Sequence, residues 1–151
     1  MEAALRTAYE TITGEKLEHL EFEEMRGFQG IKTGSVKIGD LKVHVAVAHT
    51  LRNARQLMDE IQNGTADYHF IEVMACPGGC IGGGGQPYHH GEMDTLRKRA
   101  SALYTADEAK VIRRSHENPD ITKLYQDYLG EPNGHIAHEL LHTHYTRRNK
   151  H

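Results

Sequence analysis

The chain has 151 residues, a net charge of −3, 38% hydrophobic and 26% charged residues, and two cysteines. That length suits one domain with a real core, burying about 70% of the unfolded surface. The charge balance gives no nucleic-acid footprint, no apolar run approaches the roughly 18 residues of a membrane span, and the N-terminus lacks a secretory signal pattern, so a cytoplasmic protein is expected.

In chain order, Ala3, Leu5, Ala8, Tyr9 and Ile12 predict a helix ending at Gly14, with no capping residue ahead of it. That abrupt start is the sign, read from residues alone, that a preceding segment belongs on another chain or has been removed. Residues 17–30 mix Glu18, Glu21, Glu23 and Glu24 with Leu20, Phe22 and Met25, and Gly27 and Gly30 break any helix. An irregular passage with a solvated acidic face is expected there. Residues 31–38 and 41–48 around Gly39-Asp40 predict a hairpin, with Val43, Val45 and Val47 alternating against Lys42, His44 and Ala46. A helix from His49-Thr50 to about Asn63 follows, with Leu51, Ala54, Leu57, Met58 and Ile61 on one face and Gly64 as its stop. Residues 68–75 read as a buried strand. Strand, helix, strand makes a crossover unit, so the valine strand and the 68–75 strand are expected parallel, with any ligand beyond their carboxyl ends.

Those ends lead into the most unusual stretch. Both cysteines, Cys76 and Cys80, lie here, and six of the ten residues from 76 to 85 are glycine: Gly78, Gly79, Gly82, Gly83, Gly84 and Gly85. Glycine lets backbone N–H groups approach a bound group closely, at an entropic cost a purely structural loop has little reason to carry. No Gly-Lys-Ser/Thr ending or G-x-G-x-x-G register supports a nucleotide. Paired soft thiolates amid backbone donors suit an iron–sulfur cluster or zinc.

Further on, helices are expected at 93–104, at 105–115 from a Thr105-to-Glu108 capping box, at 118–130 and at 136–145. They resemble a belt that packs on another surface. His138-Glu139-Leu140-Leu141-His142 fits the zincin pattern H-E-x-x-H, but no third ligand has a recognised spacing, with His144 and His151 the downstream candidates. A terminal packing helix is the better reading. A Cys2His2 zinc module of Cys76, Cys80, His89 and His90 is the alternative that needs no partner. His19, His44, His69 and His116 read as single structural or exposed residues, and a strained Cys76–Cys80 redox disulfide is a further alternative.

The segment from Glu72 through Met74, Cys76, Cys80 and Gly85 to Gln86-Pro87 resembles the third signature of the iron-only (FeFe) hydrogenases. Arg113 to Pro119, Leu124-Tyr125 and Leu140 to Tyr145 resemble that family's small-subunit-like C-terminal extension, and Met1 to Glu10 resembles a helix of its catalytic domain. The resemblance implies a catalytic-domain lobe over residues 1–90 and the extension over 91–151. It implies that Cys76 ligates a 4Fe–4S cubane, that Cys80 bridges the cubane to a di-iron subsite bearing CO and CN, and that Met74 lines the subsite pocket. Together these groups form the H-cluster. The family holds its cubane with four cysteines on three segments, and the two earlier segments are not in this sequence. The resemblance therefore implies the C-terminal portion of a hydrogenase, interconverting dihydrogen with protons and electrons. Its partners would be the part carrying the other cysteines and an electron-carrier subunit or ferredoxin. Alone, the chain is expected to be inactive, to carry no cofactor, to self-associate, and to exchange fastest internally over 76–86. The fold class expected is mixed α/β, a small twisted sheet followed by a helical extension.

Overall fold

A computed structural model describes residues 1–19, 21–22, 25–28 and 30–148. The expected Glu23 and Glu24 of the acidic face, Leu20 and the candidate ligand His151 lie outside them. The elements run α1 (Glu2–Thr13), β1 (Ile31–Ile38), β2 (Leu41–His49), α2 (Leu51–Gln62), β3 (Phe70–Met74), α3 (Met93–Glu108), α4 (Pro119–Leu124) and α5 (His135–Leu141). Two compact units divide them, Met1–Arg113 and Arg114–His151. The class is mixed α/β, as expected.

The first unit is built on β2. Its pleat sends Val45 and Val47 to one face and Ala46 and Ala48 to the other, and all four are buried. On the valine face Leu5 of α1 and Met25 join them, with Phe22, Val43 and Met74 packed around. On the alanine face the missing side-chain bulk lets α2 approach, and Leu57, fully buried, fills the space with Ala54, Tyr68 and Ile71 beside it. The sheet order is β1-β2-β3. β1 pairs antiparallel with β2, with Ile31 opposite Ala48 and Ile38 opposite Leu41, which confirms the hairpin. β3 pairs parallel with β2, from Val45 opposite Phe70 to His49 opposite Met74, which confirms the crossover.

Several expectations need correction. His49 ends β2 instead of opening α2; it is buried, and its N–H is taken by the Gly30 carbonyl at 2.8 Å. β3 is shorter than 68–75 and half-buried rather than buried, with Phe70 and Val73, which lie on opposite faces of the strand, both exposed. Of the apolar face predicted on α2, Leu51, Met58 and Ile61 are exposed, because a three-stranded sheet offers too little surface to cover them. The helices at 93–104 and 105–115 are replaced by one helix ending at Glu108. The capping box does not act, because Thr105 lies inside that helix; near its end Asp107 is held by guanidinium groups, both its oxygens accepting from Arg6 at 3.0 Å and Oδ2 also from Arg113 at 2.6 Å. Those two cations hold the Asp107 carboxyl down to about 2. Glu21 is likewise no solvated bystander, since it pairs with Arg113 at 2.8 Å. His44 and His69 do not stand singly: His69 Nδ1 accepts the His44 N–H, and His44 Nδ1 lies 2.9 Å from Asp67.

In the second unit Asn118 caps α4 by accepting the Asp120 N–H, with Pro119 at the first helical position. The helix relaxes into a π-turn at Tyr125–Leu129 that Gly130 stops at φ +75°. The last helix spans His135–Leu141, not 136–145, and His142 ends it in an extended conformation.

Candidate cluster-binding site

The site forms where β3 ends. Thr50 begins α2 beside it and donates its backbone N–H to the Met74 carbonyl at 2.7 Å, tying the end of β3 to the end of β2. Thr50 does this at φ 74°, a conformation that a β-branched residue adopts only under constraint. Past Ala75 the chain folds into a tight turn, with the Gly79 N–H bonded to the Cys76 carbonyl at 3.0 Å, and a 3-10 turn covers Gly79–Gly82.

Two glycines explain the composition of that turn. Gly79 is buried at φ +76°, and a Cβ there would collide with the Met74 sulfur. Gly82 has no room because a Cβ would lie 2.8 Å from the Pro77 carbonyl oxygen and 3.3 Å from Leu96. Gly84 and Gly85 are different: a Cβ on either would meet nothing within 4 Å. The sheet side of the loop is thus close-packed and its far side is open.

Helix α3 holds the loop in place. Its buried Leu96 abuts Gly82, and its Arg99 guanidinium donates to the Ile81 carbonyl at 2.8 Å and the Pro87 carbonyl at 2.7 Å. Sequence reading missed both residues, since neither carries a motif and each acts across more than ten residues of chain.

Between the loop and the edge of β3 lies a recess of ≈490 Å³. Met74, Cys76, Gly79, Cys80, Gly83 and Gly84 line it, together with Glu72, Val73 and Ala75. Both cysteines are free thiols, with no disulfide between them in this structure. Six of the residues singled out from sequence therefore converge on one recess, while Gly78, Gly82 and Gly85 shape the turn outside it. A soft-metal cluster fits this donor set: two thiols, an apolar wall, and glycines that leave the space beside Cys76 clear, Gly83 lying such that its Cβ would be 3.5 Å from the Cys76 sulfur.

The other metal candidates do not assemble. Among the described residues no three His, Cys, Asp or Glu side chains are grouped to hold a metal ion, so Cys76 and Cys80 are not joined by His89 and His90. His138 and His142 stack at 4.3 Å between ring centroids, and His144 lies further off at 6.2 Å from His138. No helix among the described residues is long and apolar enough to cross a membrane.

Comparison with known proteins agrees with this geometry. Residues 1–84 match the model of the iron-only hydrogenase large subunit, C-terminal domain, and residues 93–148 match that of the iron hydrogenase small subunit. The chain is 54% identical over 150 residues to the NADP-reducing hydrogenase subunit HndD of Solidesulfovibrio fructosivorans, covering 99% of this chain and 26% of that protein. It is 43% identical over 151 residues to iron hydrogenase 1 of Clostridium pasteurianum, covering 97% of this chain and 26% of the relative. Among solved structures, a variant of the FeFe-hydrogenase HydA1 from Chlamydomonas reinhardtii superposes with a TM-score of 0.77 at 45% identity, over 96% of this chain and 43% of that one. The chain thus spans about a quarter of the length of these curated relatives. With the family's large-subunit model covering more than half of its residues, the chain belongs to the iron-only hydrogenases, as a C-terminal portion of the enzyme.

Proposed function

We propose that the chain supplies the C-terminal half of a hydrogen-converting site. In this reading Cys76 is a thiolate ligand of a 4Fe–4S cubane, and Cys80 is the thiolate that bridges it to a di-iron subsite. Met74 lines the pocket of that subsite. Gly78, Gly79 and Gly82 to Gly85 are the close-approach backbone, with Gly79, Gly83 and Gly84 lining the recess and Gly78, Gly82 and Gly85 shaping the turn outside it. The observation that carries the proposal is the recess itself, where both thiols of the sequence and the Met74 side chain meet at the exposed edge of β3.

When bound, the cluster supplies the redox chemistry that converts dihydrogen reversibly to two protons and two electrons. The chain's own residues bind and shape. The thiolates fix the cluster, and the Thr50 contact and the Arg99 bonds hold β3 and the loop in register. Two thiolates are half of a cubane's usual four ligands, so the remaining ligands come from another hydrogenase part. A ferredoxin or electron-carrier subunit completes the electron path. The functional division falls at residues 1–90, a catalytic-domain lobe, and 91–151, the small-subunit-like extension, and the assembly is cytoplasmic.

The test is co-expression with a part carrying the other cysteine segments, with cluster maturation, followed by hydrogen evolution and by iron, sulfide and zinc analysis. Iron and sulfide acquired only with the partner, and lost in Cys76→Ser, support the proposal. Stoichiometric zinc in the chain alone, lost in the same variant, contradicts it.

A further inference from the structure

Glu72 and Met74 line the cluster recess on one side and a second cavity, of ≈350 Å³, on the other. This second cavity lies on the valine face of the sheet. Its charged walls are Glu2 and Arg6 from α1, Arg26 from the segment after it, Lys32 from β1, Glu72 from β3 and Asp107 from α3. The Met1 ammonium joins them, and the carboxylates are already paired, Glu72 with Met1 at 2.9 Å, Glu2 with Arg26 at 2.7 Å and Asp107 with Arg6 at 3.0 Å, so none is left to hold a metal ion.

Two buried groups in its wall nevertheless have unmet hydrogen-bonding capacity. His49 is 4% exposed, and its Nδ1 is buried with no partner among the described residues. Lys32 is 7% exposed; its ammonium donates to the Met25 carbonyl at 2.6 Å and the Gly27 carbonyl at 3.1 Å, which uses two of its three donors. Burial, and then the Lys32 charge, push the His49 pKa down, and burial pushes that of Lys32 down. His49 is therefore neutral at pH 7. An orphaned buried imidazole nitrogen costs roughly 1–3 kcal/mol unless something satisfies it. In a polar cavity with room for several molecules, water is the ligand that can.

We infer that the cavity behind Met74 is a water-filled chamber in which His49 Nδ1 and Lys32 anchor an ordered water chain, giving protons a stepping place one strand away from the cluster recess. The water chain takes a proton at one end as it gives one up at the other, with no net charge left on His49. Glu72 reaches both cavities; its Oε2 accepts from the Met1 ammonium at 2.9 Å, and its other carboxylate oxygen is the acceptor at the recess end. His49 acts through the water and is a positioning residue. The hydration follows from the chamber alone, whereas its use in proton transfer rests on the hydrogenase reading.

A high-resolution crystal structure of the full chain, alone or assembled with its partner, tests the first part. An ordered water at roughly 2.7–3.2 Å from His49 Nδ1 is expected; a dry cavity, or a protein atom bonded to that nitrogen, overturns the inference. In the assembled enzyme, His49→Phe should leave iron content unchanged. It should slow hydrogen–deuterium scrambling on the order of 10²-fold, the low end of what a positioned proton-transfer group supplies, and raise the solvent isotope effect. His49→Asn, which can still bond water, should restore much of the rate. Unchanged scrambling in His49→Phe overturns the proton role while leaving the hydrogenase reading intact. An assembled wild-type protein that binds its cluster but never turns over hydrogen overturns that reading, and the water at His49 is still judged from the map.

Discussion

Substituting Gly79 and Gly84 separately should pull apart the two jobs of the glycine loop. Gly79→Ala places an L-residue at φ +76° and drives a methyl group into the Met74 sulfur. The left-handed backbone costs about 1–2 kcal/mol, and forcing Met74 from its rotamer about 1 kcal/mol more. A loss of about 2–3 kcal/mol follows, which for a chain of this size lowers Tm by roughly 4–12 °C. Gly84 is outside the left-handed region and its Cβ would meet nothing within 4 Å. Gly84→Ala should therefore leave stability unchanged or raise it by about 0.4–1 kcal/mol through the unfolded chain. Because Gly84 lines the recess, the same methyl group should nevertheless reduce iron uptake during assembly with the partner. Thermal melts of the three proteins, read beside iron content after maturation, measure both effects. A Gly79→Ala protein melting within about 1 °C of the parent, or a Gly84→Ala protein as destabilised as Gly79→Ala, would refute the packing argument.

Three further outcomes follow from named contacts. Asp107 has its folded pKa depressed to about 2 from 3.8, so its stabilisation is present above pH 4 and lost as pH falls toward 2. The shift corresponds to at most about 2.4 kcal/mol, and the 32% exposure of the side chain reduces this to about 1 kcal/mol through solvent screening. Denaturant midpoints from pH 6 to pH 2 should show that loss in the parent and a flatter profile in Asp107→Asn. Thr50→Gly should raise stability by about 1 kcal/mol, because glycine meets φ 74° without strain and keeps the N–H bond to Met74; a lower unfolding midpoint would show that the Thr50 side chain matters more than its backbone. Hydrogen exchange should be fastest around residues 84–86, on the open side of the loop, and Arg99→Ala should extend it to Ile81, whose carbonyl loses its donor.

The hairpin and the parallel crossover were legible because β2 and its neighbours carry their signals locally: alternation, a Gly39-Asp40 turn, and an apolar helix between strands. The recess was legible for a different reason, since thiols and dense glycine are chemistry that few other structures need. What escaped were residues whose roles are set across the chain. Thr105 and Glu108 read as a helix start although the helix runs through them, and Asp107 between them carried no signal until Arg6 and Arg113 supplied charges that only the fold brings near. His49 read as a helix opening, but the Gly30 carbonyl extends the ladder by one residue and buries it. The apolar face of α2 was legible as periodicity, but its burial was not, because periodicity says which residues share a face and not how wide a sheet they meet; only Leu57 is fully covered.

The central claim is that Cys76 and Cys80 are half of a cluster's ligands, and cysteine-to-serine variants assembled with a part carrying the remaining cysteines test it most directly. The parent should gain iron and inorganic sulfide and evolve hydrogen. Cys76→Ser should lose much of the iron, and Cys80→Ser should lose the hydrogen activity. Full hydrogen evolution by Cys80→Ser, or iron content indifferent to both substitutions, would contradict the account.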